Sequence, residues 1–333
     1  MQLDVFSSDP AFTVTELTKS INLLSYQPTK LQRLGWFTQE PIDTTSVNIE
    51  MEGDVLTLVP AKPRGAPGEV KGLQRRNLRN FQAIHLPQRT ALMADEVQNL
   101  RAFGSQTETE LAKDRLMKKV KVVRRDLDLT IEYHRMGALK GLILDATGST
   151  ILDLYAEFGV SQQTQDMELD VTGTKVLLKV ISAKRKSEDS LGGVEAAGYH
   201  ALCSPGFFDA LVTHPAVEET YKYQQGSTLR TDRRGGFEYG ETFWEEYRGA
   251  GNVKIADNTA LLVPLGVPDM FVTYYAPAPY METVNTMGLP FYLKQEPMRM
   301  NVGIEAECQS NPLNLITRPA SIIKLGLNAG ALA

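Results

Sequence analysis

Residues 105–136 read SQTETELAKDRLMKKVKVVRRDLDLTIEYHRM, with neither glycine nor proline, in a chain that has 26 glycines and 17 prolines. This gap predicts one unbroken helix, roughly 45 to 50 Å long at about 1.5 Å per residue. The mean globular helix has only about 12 residues. The apolar residues form one narrow stripe at steps of three or four, namely Leu116, Val120, Val123, Leu127 and Ile131. We interpret the helix as a spine that supports an extended structural element.

The ends of this helix carry ordinary signals. Thr107-x-x-Glu110 predicts a capping box, and Gly137 or Gly141 would supply the stop. The remaining faces are charged, with Lys118, Lys119, Lys121, Arg124 and Arg125 beside Asp126 and Asp128. A coiled-coil segment and an ordinary long helix of an enzyme are the alternative interpretations.

The start of the chain is too irregular to form a hydrophobic core by itself. Pro10, Pro28, Gly35 and Pro41 interrupt the apolar residues of 1–45, where the sequence predicts only a short helix over Val14–Leu24. We therefore expect this segment to lie on something else.

Residues 46–86 predict a projecting hairpin-like loop. Strands are expected at Ser46–Met51 and Val55–Val59, followed by a polar middle and a return over Ala83–Leu86. The basic run Lys71–Arg79 lacks interleaved aromatics, which favours a solvated or partner-facing patch over nucleic-acid binding. Since an isolated two-stranded projection is marginal in water, the loop needs a neighbour.

The chain after the helix mixes strands and helices. Gly141–Tyr155 predicts strand, turn and strand, and its Asp145–Gly148 turn is similar to an aspartic protease triplet only superficially, because Ala146 breaks it. We expect a helix over Val171–Leu191, with Val176, Leu177, Val180 and Ile181 on one side, and another over Pro205–Tyr223 with Phe208, Leu211 and Val212. Strands are expected at Tyr199–Cys203, Phe237–Trp244, Ala260–Leu265 and Met270–Tyr275.

The sequence has no recognised catalytic or nucleotide-binding motif. His85, His134, His200 and His214 lack metal-ligand spacing. A hydrolase using Cys203 with His200 or His214 is the remaining enzymatic hypothesis. Residues three apart on a strand face opposite ways, so His200 cannot serve Cys203 if both lie on one strand. We predict no enzyme activity and no catalytic, cofactor-binding or metal-binding residue.

Composition restricts the class of protein. The 333 residues carry a net charge of −5, which argues against a general nucleic-acid binder. Cys203 and Cys308 are too few for a disulfide framework and are expected to be reduced in a cytoplasm. No apolar run approaches the roughly 20 residues that span a bilayer, and the N-terminus lacks a signal-peptide pattern, so we expect a soluble protein that is not exported.

Nearly the whole chain resembles the major capsid protein E family of lambda-like tailed phages. The resemblance rests on stretches in the family's order: Phe12–Asn22, Leu34–Gly35, Leu58–Pro60, Arg64–Gly68, Met136–Asp145, Phe208–Pro215, Ala276–Pro279, Asn285–Thr286 and Gln309–Leu313. It implies an α+β Hong Kong 97-like phage capsid fold. The implied parts are an N-terminal arm (1–45), an extended loop (46–86), a peripheral domain (87–140 and 283–318) and an axial domain (141–282 and 319–333).

The same resemblance implies a function. A family member would be the major head protein of a tailed double-stranded DNA phage or prophage, forming hexamers and pentamers of an icosahedral shell. It would be assembled in the bacterial cytoplasm and become part of the virion. No long scaffolding segment precedes the arm, so a separate scaffolding protein is implied, with a protease, a portal and a probable decoration protein. The DNA would be packaged inside the shell without sequence-specific binding. A nanocompartment shell of the same fold is the alternative.

Overall fold

The computed structural model describes residues 13–23, 29–51, 77–98, 108–222, 235–249 and 253–332. The helices are α1 (Val14–Leu23), α2 (Lys30–Leu34), α3 (Ala94–Gln98), α4 (Glu108–Lys140), α5 (Leu154–Phe158), α6 (Val176–Leu191), α7 (Pro205–Thr213) and α8 (Pro215–Lys222). The strands up to α7 are β1 (Thr38–Pro41), β2 (Ser46–Met51), β3 (Asn77–Gln82), β4 (Leu86–Met93), β5 (Leu142–Leu144), β6 (Thr150–Asp153), β7 (Gln163–Asp166) and β8 (Gly198–Cys203). The later strands are β9 (Phe237–Tyr239), β10 (Thr242–Glu246), β11 (Thr259–Leu265), β12 (Phe271–Tyr275), β13 (Tyr292–Pro297), β14 (Gly303–Ser310), β15 (Pro312–Ile316) and β16 (Ile323–Gly326). This mixture confirms the α+β class.

Two compact units divide the described residues. The first contains the described parts of 1–48, 80–132 and 272–315, and the second those of 49–79, 133–271 and 316–333. Helix α4, the spine helix, contributes to both, because the division falls after Glu132. The sequence-based division into arm, loop, peripheral and axial segments stays a prediction.

The first unit is built on the antiparallel sheet β13-β14-β4. The predicted apolar stripe of the spine helix is confirmed, because all five of its residues are buried. They pack against one face of this sheet through Leu92, Leu293, Ile304, Ala306 and Cys308. A smaller sheet of order β1-β12-β15 completes the unit, with β1 parallel to β12.

The second unit is built on a six-stranded mixed sheet of order β7-β16-β11-β8-β10-β9. Strand β8 lies near its centre, antiparallel to β11 and parallel to β10. Helices α6, α7 and α8 supply the apolar residues that bury one face, among them Val180, Phe207, Leu211 and Val217. Trp244 lies fully buried in this core, and its indole nitrogen donates to the carbonyl of Tyr239 at 3.0 Å.

The spine helix ends four residues later than predicted. Gly137 does not stop it: a side chain there would approach the carbonyl oxygen of Leu142 to 2.7 Å, so this glycine lets the helix pass close to β5. The stop is Gly141, whose φ of +84° is a backbone conformation that favours glycine. The proposed capping residue Thr107 lies outside the described residues.

Two predicted helices have different limits in the structure. Helix α6 starts at Val176 rather than Val171, because residues around Gly173 form turns instead. Leu177 is consequently exposed, and the buried side of α6 runs through Val176, Val180, Ala183, Ser187 and Leu191. The predicted helix over Pro205–Tyr223 is two helices. Pro215 has no N–H and keeps His214 extended, so α7 ends and α8 begins there.

The segments around the spine helix agree with most of the predictions. Strands β5 and β6 form the expected hairpin, and the Asp145 carboxylate accepts from the Thr147 backbone N–H and hydroxyl as a turn residue does. Residues 154–158 form the short helix α5 instead of continuing the strand. Strand β2 pairs with β3, while the predicted strand at 55–59 lies outside the described residues.

Candidate functional site

The hydrolase hypothesis required Cys203 beside a histidine. Cys203 lies fully buried in the apolar core of the second unit, among residues of β8, β11 and the helices. His200 belongs to the alternate residues of β8, which face the other side of the sheet, and its Nε2 lies 3.2 Å from Glu245 Oε2. The prediction that these two side chains point to opposite faces is confirmed. The structure therefore does not bring Cys203 and His200 together.

His214 has a local structural role at the junction between two helices. Its Nδ1 accepts from the backbone N–H of Ala216 at 3.2 Å, and its Nε2 lies 3.1 Å from the carbonyl oxygen of Val171. Both ring nitrogens are thus used to hold the start of α8. Among the described residues no group of three or more acidic, histidine or cysteine side chains is arranged to hold a metal ion. None of the described helices is long and apolar enough to cross a membrane.

His134, on the spine helix, is almost fully buried, and neither ring nitrogen has a hydrogen-bond partner among the described residues. Burial lowers the pKa of His134 to about 4, although the nearby Asp145 carboxylate works in the opposite direction. This histidine is therefore neutral at pH 7 and acts as a structural side chain.

This burial predicts a loss of stability in acid. The unfolded chain binds a proton at His134 near pH 6.5 and the folded chain only near pH 4, so folding stability should fall as the pH drops between these values. The loss attributable to this group is about 3 kcal/mol, at about 1.4 kcal/mol per pH unit. Urea unfolding at pH 7, 5.5 and 4 would measure it, with His134→Leu as the matched variant. Equal pH slopes in the two proteins would contradict the prediction.

Helix α1, in the segment expected to lie on something else, packs on the first unit of its own subunit. Leu17 and Ile21 of α1 enter the apolar core of the first unit. The Thr18 hydroxyl accepts from the N–H of Leu293, and the Asn22 amide donates to the carbonyl of Phe291 at 3.0 Å. Helix α1 thus covers the outer edge of β13. The physical reason is its amphipathic pattern, which matches the uncovered apolar surface of this sheet.

Charged residues of the spine helix hold α1 and α2 by their ends. Arg124 Nη1 donates to the carbonyl of Ile21, in the last turn of α1, at 2.8 Å. Glu132 Oε1 accepts from the N–H of Leu31, in the first turn of α2, at 2.9 Å. The C-terminus of a helix carries a partial negative charge and the N-terminus a partial positive charge. A cation at the first and an anion at the second are therefore both stabilising. The two contacts fix α1 and α2 to the spine helix.

Arg124 is largely buried and makes several contacts, although it lies on a mostly charged helix. Its side chain is only 12 % exposed, and Nε donates to both carboxylate oxygens of Asp128 at 3.2 Å. The guanidinium also stacks on the ring of Phe291, 3.4 Å from the ring centroid. Nothing in the sequence separated Arg124 from Lys118 or Arg125, because only the position of the arm makes the difference. This part of the charged side of the helix is therefore occupied within the subunit.

A second stripe of the spine helix does remain exposed. Val122 and Leu129, two turns apart, are 50 % and 42 % exposed. They lie among cationic side chains on the same side, namely Arg115, Lys118, Lys121 and Arg125. We call these six residues the exposed stripe. These two side chains add apolar surface to a helix face that is otherwise charged.

Comparison with known proteins places these features in a family context. The family described as phage major capsid protein E matches residues 13–327. A major capsid protein of Pseudomonas phage KPP10 is 30% identical to this chain, over 94% of this chain and 96% of that protein. A major capsid protein of Salmonella phage Felix O1 is 24% identical, over 97% of this chain and 98% of that protein.

Solved structures agree in fold. The capsid structure of cyanophage P-SCSP1u superposes with a TM-score of 0.52 at 10% identity, covering 91% of this chain and 90% of the other. The mature capsid of bacteriophage PhiM1 superposes with a TM-score of 0.50 at 12% identity, covering 91% and 88%. At such identities the likeness bears on the fold alone.

Proposed function

This chain belongs to the phage major capsid protein E family, and from that premise we propose that its copies assemble as hexamers and pentamers into a closed icosahedral shell around packaged DNA. It is a major capsid protein of a tailed phage, with the Hong Kong 97-like fold, and is therefore a component of the virion. We place its assembly in the cytoplasm of the bacterial host.

The observation that carries the proposal is the family match over residues 13–327, which includes both compact units. Within that match we assign residues 1–45 to the arm, 46–86 to the extended loop, 87–140 with 283–318 to the peripheral domain, and the rest to the axial domain. The exposed stripe supports the assembly role, because it offers two apolar side chains to a neighbouring copy. Such head-to-tail contacts close into rings when the rotation between copies is right.

Other chains would complete the particle. We propose a separate scaffolding protein, a protease, a portal and a decoration protein as partners. The net charge of −5 supports an inner wall that encloses DNA without binding it tightly, since affinity for DNA requires clustered cations. Many contacts of modest strength suit this assembly, because weak contacts dissociate fast enough to correct errors.

The test is direct observation of particles. Co-expression with the neighbouring head genes, followed by sedimentation and negative-stain microscopy, should give closed shells of uniform diameter. Soluble monomers without shells would contradict the proposal. Cys203→Ser serves as a control and should assemble normally, because the thiol lies in a core and performs no chemistry in this function. Loss of an enzymatic activity in that variant would instead support the hydrolase hypothesis.

A further inference from the structure

A groove lies beside helix α1 on the surface of the first unit. It encloses a concave space of about 820 Å³. Helix α1 forms one wall, and the chain that leads into β13 forms the other. Among the residues that line the groove are Val14, Thr18 and Leu23 of α1, and Met287, Leu289 and Tyr292 of the opposite wall. We call this space the α1 groove.

Two hydrogen bonds set the direction of the α1 groove. Asn22 donates to the carbonyl of Phe291, and the N–H of Leu293 donates to the Thr18 hydroxyl, so α1 runs antiparallel to the start of β13. The last turn of α1 therefore lies beside the chain that enters β13, and the first turn lies farther along the strand. The 10 residues of α1 give the groove a length of about 15 Å.

The end of the groove at the last turn of α1 is apolar and open to solvent. Leu23 is 84 % exposed, Met287 is 60 % exposed and Leu289 is 43 % exposed. Single exposed apolar residues are common on protein surfaces, but here three of them line one concave space. An apolar segment that enters this end would remove all three side chains from water, which is favourable.

The residues directly before α1 have a suitable composition and length. Residues 1–12 read MQLDVFSSDPAF, in which Leu3, Val5 and Phe6 are apolar and Ser7–Pro10 consists of residue types that favour turns. A reversal at this turn would direct the preceding residues back along α1. At about 3.3 Å per residue, about five extended residues cover the length of α1. This distance brings the three apolar residues to the exposed end of the groove.

We propose that residues 3–6 fold back into the α1 groove of their own chain and cover Leu23, Met287 and Leu289. The same chain is favoured over a second copy because the segment is joined to the groove at Val14, which lines it. Such a short connection gives an effective concentration on the order of millimolar or more. The inference concerns a single subunit, so it goes beyond the proposed assembly and does not depend on it.

Cysteine cross-linking in the full chain tests the contact. Leu3→Cys, Val5→Cys and Phe6→Cys are each combined with Met287→Cys and oxidised with copper phenanthroline at low protein concentration. At least one combination should form an internal disulfide in most chains, seen as a faster band on a gel without reductant. The native cysteines are buried and should not react. Met300→Cys replaces Met287→Cys in the control, because Met300 is 96 % exposed and does not line the groove.

Three results of the cross-linking would overturn the proposal. Disulfide-linked dimers in place of internal disulfides would assign the groove to a second copy. No disulfide in any combination would show that the segment lies elsewhere. Equal internal cross-linking to Met300→Cys would show only random encounters within the chain.

A stability measurement tests the same contact without oxidation. Changing Leu3, Val5 and Phe6 together to serine should lower the thermal midpoint by about 3 °C, because the groove then loses its apolar cover. In a background of Met287→Ser with Leu289→Ser, the same three changes should have little further effect. An equal decrease in both backgrounds, or no decrease in either, would contradict the proposal.

Discussion

The change Val123→Asp is expected to leave the chain unfolded. Val123 lies in the centre of the buried stripe, 7 % exposed, and packs in the core between the spine helix and the sheet β13-β14-β4. A carboxylate there would be buried without a cation, at a cost of about 4 kcal/mol or more. Since whole domains are stable by only about 5–15 kcal/mol, this single change removes much of the margin. Circular dichroism and urea titration of the purified chain would measure it.

The adjacent residue supplies the matched control. Val122 has the same side chain on the same helix but is 50 % exposed, so an aspartate there remains solvated. Val122→Asp should change the free energy of unfolding by less than about 1 kcal/mol. Equal destabilisation at the two positions would contradict the assignment of the buried stripe.

Deletion of residues 62–78 is expected to abolish shell assembly while leaving a soluble subunit. The described residues of both apolar cores lie outside this segment, so the subunit keeps its packing. The deletion removes five of the cations in 62–76 together with the first two residues of β3. Shell yield after co-expression should fall to background. Sedimentation and microscopy would measure this yield against the wild type.

The folding of the deletion variant needs its own measurement. Its thermal midpoint should stay close to that of the wild-type subunit, because the described residues of both apolar cores are all retained. In a second variant, residues 62–76 are replaced by glycine and serine at equal length. This variant distinguishes the loss of the side chains from the shortening of the loop. Normal shells from the deletion would refute the prediction that this loop needs a neighbouring subunit.

Regular periodicity made much of the fold predictable. The five residues of the buried stripe, strand β8 and the turn at Asp145 follow from patterns confined to a few neighbouring residues. Helix α1 also appeared at its predicted start, Val14. Pro215 was a readable signal as well, since proline commonly occupies the first helical position and disfavours helix before it.

The contacts between distant segments could not be predicted from local sequence patterns. Nothing near Arg124 indicates that it receives the end of α1, and nothing near Glu132 indicates that it receives the start of α2. His134 likewise resembles a polar residue of an exposed face until its burial is known.

Helix α1 covers the edge of β13, and this affects whether copies of the chain form closed shells or open fibres. An uncovered strand edge is a template to which any other chain can add, and such addition propagates without closing. Here Thr18 and Asn22 already occupy polar groups along that edge. Strand addition by another chain is therefore disfavoured at this edge. At this edge, contacts with another copy are then left to side chains, whose geometry can set the curvature of an assembly.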